Sequence, residues 1–190
     1  GRFRDTARRF VKGDAGQVAD LGWRLTGSAD LYGEDGRSAV NSINFITCHD
    51  GFTLADLVSF SDKHNERNGE RNQDGTNDNN SCNGGAEGET ADPAILAMRR
   101  QLMKNHACVL LFALGTPMIL GGDEFARTQG GNNNAYCQDN DISWFDWDAA
   151  LAERDLTEFF RKAIAFARRF PVFQRRKFLL GKDLDTDTVS

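Results

Sequence analysis

Residues 43–51 read Ile-Asn-Phe-Ile-Thr-Cys-His-Asp-Gly, a short apolar run followed by an imidazole, a carboxylate and a glycine. Its apolar residues, Phe45 and Ile46 among them, predict a short strand that is buried on both faces. His49 and Asp50 follow at the carboxyl end of that strand, where parallel α/β sheets and barrels bind their ligands. On spacing alone a second interpretation stays open, in which Asp50 caps a helix and His49 is an edge residue.

Helices and strands are predicted to alternate along the rest of the chain. The predicted helices are 5–11, 17–25, 54–60, 92–114 and 156–170, and the predicted strands begin at Ile43 and Met118. Pro93 suits the first turn of the fourth helix, whose predicted inner side is Ile95, Met98, Leu102, Ala107 and Val109. This order predicts βαβ units with a parallel sheet, and hence the α/β class. A complete (β/α)8 barrel takes roughly 250 residues, so the 190-residue chain is too short to be one.

Composition excludes several classes of function. The net charge of −5 argues against a nucleic-acid partner, because phosphate binding depends on clustered Lys and Arg. No apolar stretch approaches the ~20 residues that span a membrane. The four cysteines lie far apart without a C-x-x-C pair, which favours free thiols over a zinc finger or a disulfide framework. We therefore expect a cytoplasmic protein without a cofactor.

The segment 61–91 has almost no large apolar residue and is crowded with Asn, Asp, Gly and Glu. A loop of this length in a compact domain is functional or disordered. Asp74, Asp78 and Asn80 alternate as in a calcium loop, yet Asn79 and Gly85 occupy the positions that an EF-hand gives to Gly and Glu. The preferred interpretation is an ordered loop whose amides bind backbone and sugar hydroxyls, outside the core and without effect on stability.

An ordered series of motifs carries a resemblance to a known family. The motifs are His49-Asp50-Gly51-Phe52-Thr53-Leu54, His64-Asn65-Glu66-Arg67-Asn68-Gly69-Glu70, Asp74-Gly75-Thr76-Asn77-Asp78-Asn79, Gly115-Thr116-Pro117-Met118, Gly121-Gly122-Asp123-Glu124-Phe125 and Gly131-Asn132-Asn133-Asn134-Ala135-Tyr136-Cys137-Gln138. The series resembles the glycogen-debranching branch of the α-amylase superfamily, the isoamylase-type α-1,6-glucosidases of glycoside hydrolase family 13. The resemblance implies that residues 1–181 are a partial (β/α)8 barrel, about strand 6/helix 6 through helix 8. It makes 182–190 the start of a linker to a missing β-sandwich.

The resemblance also implies a reaction. The longer enzyme would hydrolyse α-1,6 branches of glycogen or limit dextrin by a retaining, metal-independent mechanism. The family's nucleophile Asp and acid Glu would precede Gly1, so this chain alone is expected to be inactive. Asp50 matches the third family carboxylate, which stabilises the transition state, and His49 matches a histidine that binds the same sugar. The rivals are an isoamylase or pullulanase acting on other branched glucans, and a non-catalytic glucan-binding relative.

Further candidates follow the second strand. Asp123 and Glu124 are interpreted as caps at a helix start, with direct sugar contact as the alternative. Asn133 and Asn134 are candidates for contact with the glucan at the rim of the site. The candidate substrate-binding residues are His49, Asp123, Glu124, Asn133 and Asn134. The aromatic residues Trp144, Phe145 and Trp147 are predicted to belong to the core rather than to stack on sugar.

Overall fold

The computed structural model describes residues 1–34 and 36–180, and helices dominate its regular structure. The helices are α1 (Arg2–Lys12), α2 (Val18–Leu25), α3 (Ala29–Tyr32), α4 (Leu54–Leu57), α5 (Pro93–Leu111), α6 (Trp147–Ala152) and α7 (Arg154–Arg169), and the strands are β1 (Ile43–Asn44) and β2 (Thr116–Pro117). Short 3-10 helices cover Ala39–Asn41, Glu66–Asn68, Asp123–Phe125, Ala135–Cys137 and Pro171–Gln174. The predicted linker at 182–190 lies outside the described residues.

The two strands pair in parallel, with Ile43 opposite Thr116 and Asn44 opposite Pro117. Since α4, the long loop and α5 lie between them in sequence, the predicted parallel βαβ order is confirmed. The predicted strand limits are wrong, because the second strand precedes Met118 and both of its residues are exposed. The first strand ends early because the Ile46 carbonyl accepts from the Arg8 guanidinium (Nε to O, 2.9 Å) instead of extending the ladder.

The core lies among helices α1, α4, α5 and α7. Its buried side chains are Phe3, Ala7, Ile46, Phe52, Leu54, Leu57, Val58, Met103, Ala107, Leu110, Leu111, Ala113, Leu156, Phe160 and Ala163. The amphipathic pattern predicted for the last helix is confirmed, since α7 buries Leu156, Phe160 and Ala163. Its first turn is also tied to α5 by an ion pair of 2.7 Å between Lys104 and Asp155.

The start of α5 is confirmed, and its predicted inner face is confirmed in part, since Leu102 and Val109 pack against the core while Met98 is exposed. The Asp92 carboxylate caps the helix by accepting from the Ala94 N–H (2.8 Å), with Pro93 in the first turn. Of the predicted inner residues only Ala107 is buried, and the buried set is Arg99, Met103, His106, Ala107, Leu110 and Leu111. Arg99 joins the buried set because its guanidinium donates to loop carbonyls, including those of Gly88 and Asn83 (both 2.7 Å).

Two chemical expectations bear on the whole chain. All four cysteines carry free thiols, with Cys137 exposed and Cys48, Cys82 and Cys108 half-buried. Within the described residues, none of the helices combines the length and the apolar character needed to cross a membrane.

Candidate functional site

The loop between β1 and α4 presents His49 and Asp50 to solvent. Their side chains are 86% and 80% exposed, and His49 Nε2 lies 3.4 Å from Asp50 Oδ2. The helix cap of α4 is Thr53, whose hydroxyl accepts from the Asp56 N–H. The alternative role of Asp50 as a helix cap is therefore wrong. An accessible carboxylate beside an accessible imidazole is suited to binding a polar ligand, and the predicted substrate contacts of both residues stay predictions.

The buried Asp123 carboxylate contacts both ends of this loop, at Thr47 and at Leu54. Its Oδ2 accepts from the Thr47 hydroxyl, and its Oδ1 accepts from the Leu54 N–H at 2.9 Å. The residue is 3% exposed, and this burial raises the pKa of its carboxyl to about 6. Both oxygens are already used by the protein, so we revise the prediction that Asp123 contacts substrate. It is also no cap of its own 3-10 helix, whose N-cap is Gly122.

Glu124 lies beside Asp123 but has a different environment. It is half-buried, and its Oε2 accepts from the Gly122 N–H at 3.0 Å. The contact closes a local turn rather than capping a long helix. Direct contact of Glu124 with a ligand stays a prediction.

A network of side-chain amides joins the long loop to the segment after β2. Its members are Asn65, Asn68, Asn79, Asn132, Asn133 and Asn134, together with Asp74. We call it the asparagine network. Four of these asparagines are almost fully buried, with exposed fractions of 0% to 3% for Asn65, Asn79, Asn132 and Asn133. Buried amides of this kind are stable because each finds hydrogen-bond partners.

Asn133 is the centre of the asparagine network. Its Nδ2 donates to the Thr76 carbonyl (2.8 Å) and to Asn79 Oδ1 (3.0 Å), and its Oδ1 accepts from Asn65 Nδ2 (2.9 Å). Its backbone carbonyl accepts from the Gly51 N–H at 2.9 Å, directly after Asp50. The predicted contact of Asn133 with glucan is revised, because its side chain is buried and fully engaged. The network instead supports the middle of the loop that carries Asp50.

Asp74 closes the exposed side of the network. Its Oδ2 accepts from Asn68 Nδ2 (2.7 Å) and from Asn134 Nδ2 (2.9 Å), and these bonds, that from Asn68 first, lower the pKa of the carboxyl. Asn134 is half-buried, and its predicted contact with glucan stays a prediction. Across 1–34 and 36–180, no group of three or more His, Cys, Asp or Glu side chains is placed to hold a metal ion.

Asp56 anchors the same segment to α4. Its carboxylate accepts from the Thr128 hydroxyl and from the Gln129 N–H (2.8 Å). The side chain is fully buried, and burial raises the pKa of its carboxyl despite these bonds. The loop is therefore ordered, as preferred from the sequence. The loop contributes no side chain to the hydrophobic core, as expected, although Asn65 and Asn79 within it are buried. Its effect on stability stays a prediction.

Glu87 connects the start of the long loop, at Ser61 and Asp62, to Asn83 near its end. Its carboxylate accepts from the N–H groups of Ser61 (2.9 Å) and Asp62 (3.0 Å) and from Asn83 Nδ2 (2.9 Å), and it lies 3.2 Å from His64 Nε2. Burial acts to raise the pKa of Glu87, and these hydrogen bonds outweigh it and lower the pKa to about 2.

The low pKa of Glu87 predicts a contribution to stability with a definite pH window. The contribution is present above the ordinary value of 4.5 and is lost as pH falls through about 2. We expect Glu87→Gln to have a lower melting temperature than wild type at pH 7. The difference between the two melting temperatures should shrink as pH falls from 4.5 toward 2. Thermal unfolding between pH 2 and pH 7 measures this. Glu89→Gln, at an exposed carboxylate two residues along, is the control. A gap from wild type that is the same at every pH would contradict the role of Glu87.

The aromatic residues after the network are not part of the core. Trp144 and Trp147 are 62% and 66% exposed, so the core prediction for them is wrong. Phe145 is also exposed, and it packs edge-on against Phe125 and Trp147 with ring centroids 5.9 and 5.6 Å apart.

Arg8 is a site residue that the sequence reading missed. It is 3% exposed, and its guanidinium donates to the carbonyls of Ile46 (2.9 Å) and Asn79 (2.9 Å). It therefore connects α1 to the strand before His49 and to the asparagine network. Its neighbours Phe3 and Ala7 on the buried face of α1 were the available signal, because Arg8 continues that face.

Comparison with known proteins shows what the chain is similar to. The chain is 50% identical over 184 residues to the glycogen operon protein GlgX homolog of Mycobacterium tuberculosis, a match that covers 97% of the chain and 26% of that protein. This chain is homologous to one segment of the glycogen debranching enzymes. The glycogen debranching enzyme of Serratia proteamaculans is 48% identical over 177 residues, covering 93% of the chain and 26% of that enzyme. Chloroplastic isoamylase 3 of rice is 45% identical over 185 residues, covering 97% and 24%.

Solved structures share the fold of the chain. A mutant pullulanase from Paenibacillus barengoltzii complexed with maltotriose superposes with a TM-score of 0.65 at 23% identity, covering 89% of the chain and 24% of that structure. A type I pullulanase from Bacillus subtilis complexed with maltose gives 0.64 at 22% identity, covering 93% and 22%. No protein-family model matches the chain. The chain spans about a quarter of the length of the curated relatives it matches.

Proposed function

We propose that the chain is a segment of a glycogen-debranching enzyme, a glycoside hydrolase that cleaves α-1,6 branch linkages in glycogen or limit dextrin with retention of configuration. The observation that carries this proposal is the identity of 50% over 184 residues with a protein of the glycogen operon. Similar identity to a protein named glycogen debranching enzyme supports the same reaction. The partner is then a branched α-glucan.

The architecture that fits this function is part of a (β/α)8 barrel, formed by residues 1–181. The parallel pairing of β1 with β2 across α4 and α5 supports it, as do TM-scores up to 0.65 with pullulanases. In such a barrel the carboxyl ends of the strands form the active face. The His49-Asp50 pair and the asparagine network both follow a strand end and belong to that face.

The mechanism assigns a defined task to each exposed group. Retaining glycosidases pass through an oxocarbenium-like transition state between two carboxyl groups, which the longer enzyme supplies outside this chain. The Asp50 carboxylate near the developing positive charge stabilises the transition state more than the ground state. The His49 imidazole exchanges hydrogen bonds with sugar hydroxyls and adds no charge when neutral. Because the loop is held at both ends and at Gly51, these groups need little reorganisation when substrate binds.

A second candidate is a debranching activity directed at other branched glucans. The 45% identity with rice isoamylase 3 and the shared fold with pullulanases favour this alternative. The two candidates differ in chain-length preference, which in such a barrel is set by loops distributed over the whole active face.

Product analysis with the full-length enzyme tests both candidates. The substrates are phosphorylase-limit dextrin, pullulan and linear amylose at equal glucose content. We expect short linear malto-oligosaccharides from limit dextrin and no product from amylose. NMR of the fresh products should show that the α-anomer forms first. Faster cleavage of pullulan than of limit dextrin would favour the second candidate. Cleavage of amylose, or no cleavage of any α-1,6 linkage, would contradict the proposed function.

A further inference from the structure

We propose that Asp123 is a positioning residue for Asp50, whose buried carboxylate holds the loop 47–54 at both ends and so keeps the Asp50 carboxylate at the reacting sugar. The inference rests on the proposed function, since it assigns to Asp123 a part in the work of Asp50.

The geometry of the loop carries this inference. Thr47 and Leu54 flank the exposed His49-Asp50 pair, and a single carboxylate accepts a hydrogen bond from each of them. Between these ends, the Gly51 N–H donates to the Asn133 carbonyl. A loop of this length that is held at three points has lost most of its backbone freedom before substrate arrives. The position of Asp50 is therefore set by contacts beneath the loop, although its own side chain is 80% exposed.

The anchor is itself fixed to the core. Asp123 lies in a 3-10 helix with Phe125, which is 8% exposed, and the Thr157 hydroxyl of α7 donates to the Glu124 carbonyl at 3.1 Å. Gly122 before it has φ +100°, and an added Cβ would come within 2.6 Å of the Arg127 side chain. This position requires glycine, and the turn fixes where the Asp123 carboxylate points.

The chemistry of the anchor argues for a role beyond stability. The hydrogen-bond donors to Asp123 are a hydroxyl and a backbone amide, with Arg127 as a cation nearby, and a carboxylate buried in this way carries a desolvation cost. Arg8 already holds the preceding Ile46 carbonyl, so the strand end does not need Asp123. Asp123 instead fixes the positions of Thr47 and Leu54 relative to each other, and so the conformation of the loop between them. A displacement of about 1 Å at a reacting group costs roughly 10²-fold in rate.

Three variants of the full-length enzyme test the inference by kinetics on limit dextrin. We expect Asp123→Ala to lower kcat by roughly 10²-fold with little change in KM. Thr47→Val should reproduce part of this loss, about tenfold, although Thr47 is buried below the loop. Asp123→Asn should restore most of kcat, because its amide oxygen can accept from Leu54 and its amide nitrogen can donate to the Thr47 hydroxyl. The matched control is Asp30→Asn, which removes a carboxylate paired with buried Arg24 in the N-terminal helices.

A double variant separates positioning from general destabilisation. If Asp123 acts through Asp50, then Asp50→Asn with Asp123→Ala should be no slower than Asp50→Asn alone. Fully additive losses would overturn the inference, as would a rise in KM without loss of kcat or a normal kcat in Thr47→Val. Should Asp123→Ala fail to fold, Thr47→Val and Asp123→Asn carry the same test. A normal kcat in Asp50→Asn would overturn the proposed role of Asp50 itself. A large loss of kcat in Asp50→Asn, together with normal kcat in the Asp123 and Thr47 variants, would overturn only the positioning role of Asp123.

Discussion

Replacing Asp50 by asparagine is expected to lower kcat of the full-length enzyme on limit dextrin by roughly 10²–10³-fold. Asparagine keeps the shape of the side chain and removes the negative charge that faces the transition state. KM should change little, because the lost interaction strengthens only as positive charge develops on the sugar. Since the side chain is 80% exposed, the free energy of unfolding should stay near that of wild type.

The control for this measurement is Asp20→Asn, which removes an exposed carboxylate from α2. Its kcat, KM and melting temperature should match those of wild type. A kcat for Asp50→Asn within a factor of about two of wild type would contradict the electrostatic role of Asp50 and leave it as a solvent-exposed loop residue.

Replacing Asn133 by alanine is expected to cost on the order of 3 kcal/mol in the free energy of unfolding and to abolish most of the activity. The change removes two donated hydrogen bonds and one accepted bond in a buried site, and it leaves Asn79 Oδ1 without its Asn133 donor. Activity falls as well, because without these side-chain bonds the backbone of residue 133, whose carbonyl holds Gly51 beside Asp50, is no longer fixed in place. Denaturant unfolding and limit-dextrin hydrolysis measure the two effects.

Asn77→Ala is the matched control, because Asn77 is an exposed amide in the same loop. Both its stability and its activity should be those of wild type. Loss of activity in Asn133→Ala with unchanged stability would instead support direct contact of Asn133 with glucan, the role first predicted for it.

Local signals in the sequence predicted local structure well. The Asp92-Pro93 start of α5 and the apolar spacing of α7 are encoded within a few residues, and the structure confirms both. The His49-Asp50 pair after a strand was predicted for the same reason. The number of barrel strands and the substrate contacts of His49, Asp50, Glu124 and Asn134 stay predictions.

The misassigned features depend on contacts between distant parts of the chain. Asp123 meets a hydroxyl 76 residues away, and no local pattern reveals that its carboxylate points inward. Arg99 is buried because its guanidinium reaches loop carbonyls, which a count of apolar residues along α5 cannot detect. The long loop stays outside the hydrophobic core, as predicted, but the burial of Asn65 and Asn79 was not foreseen, because amides that satisfy one another can be buried as completely as leucine.

The reliance of the site on asparagine has a consequence for chemical ageing. Asn68 precedes Gly69, which is exposed with φ +79°, and a following glycine offers little steric hindrance to cyclisation and loss of ammonia once its N–H leaves the Glu66 carbonyl (3.1 Å). Deamidation at Asn68 would replace its donors to Asp74 Oδ2 (2.7 Å) and the Asn134 carbonyl (2.9 Å) by a second carboxylate facing Asp74. Asparagine is among the thermolabile residues that proteins of hot environments tend to lose. The working lifetime of the site during storage or heating would then be bounded by hydrolysis of one amide rather than by unfolding.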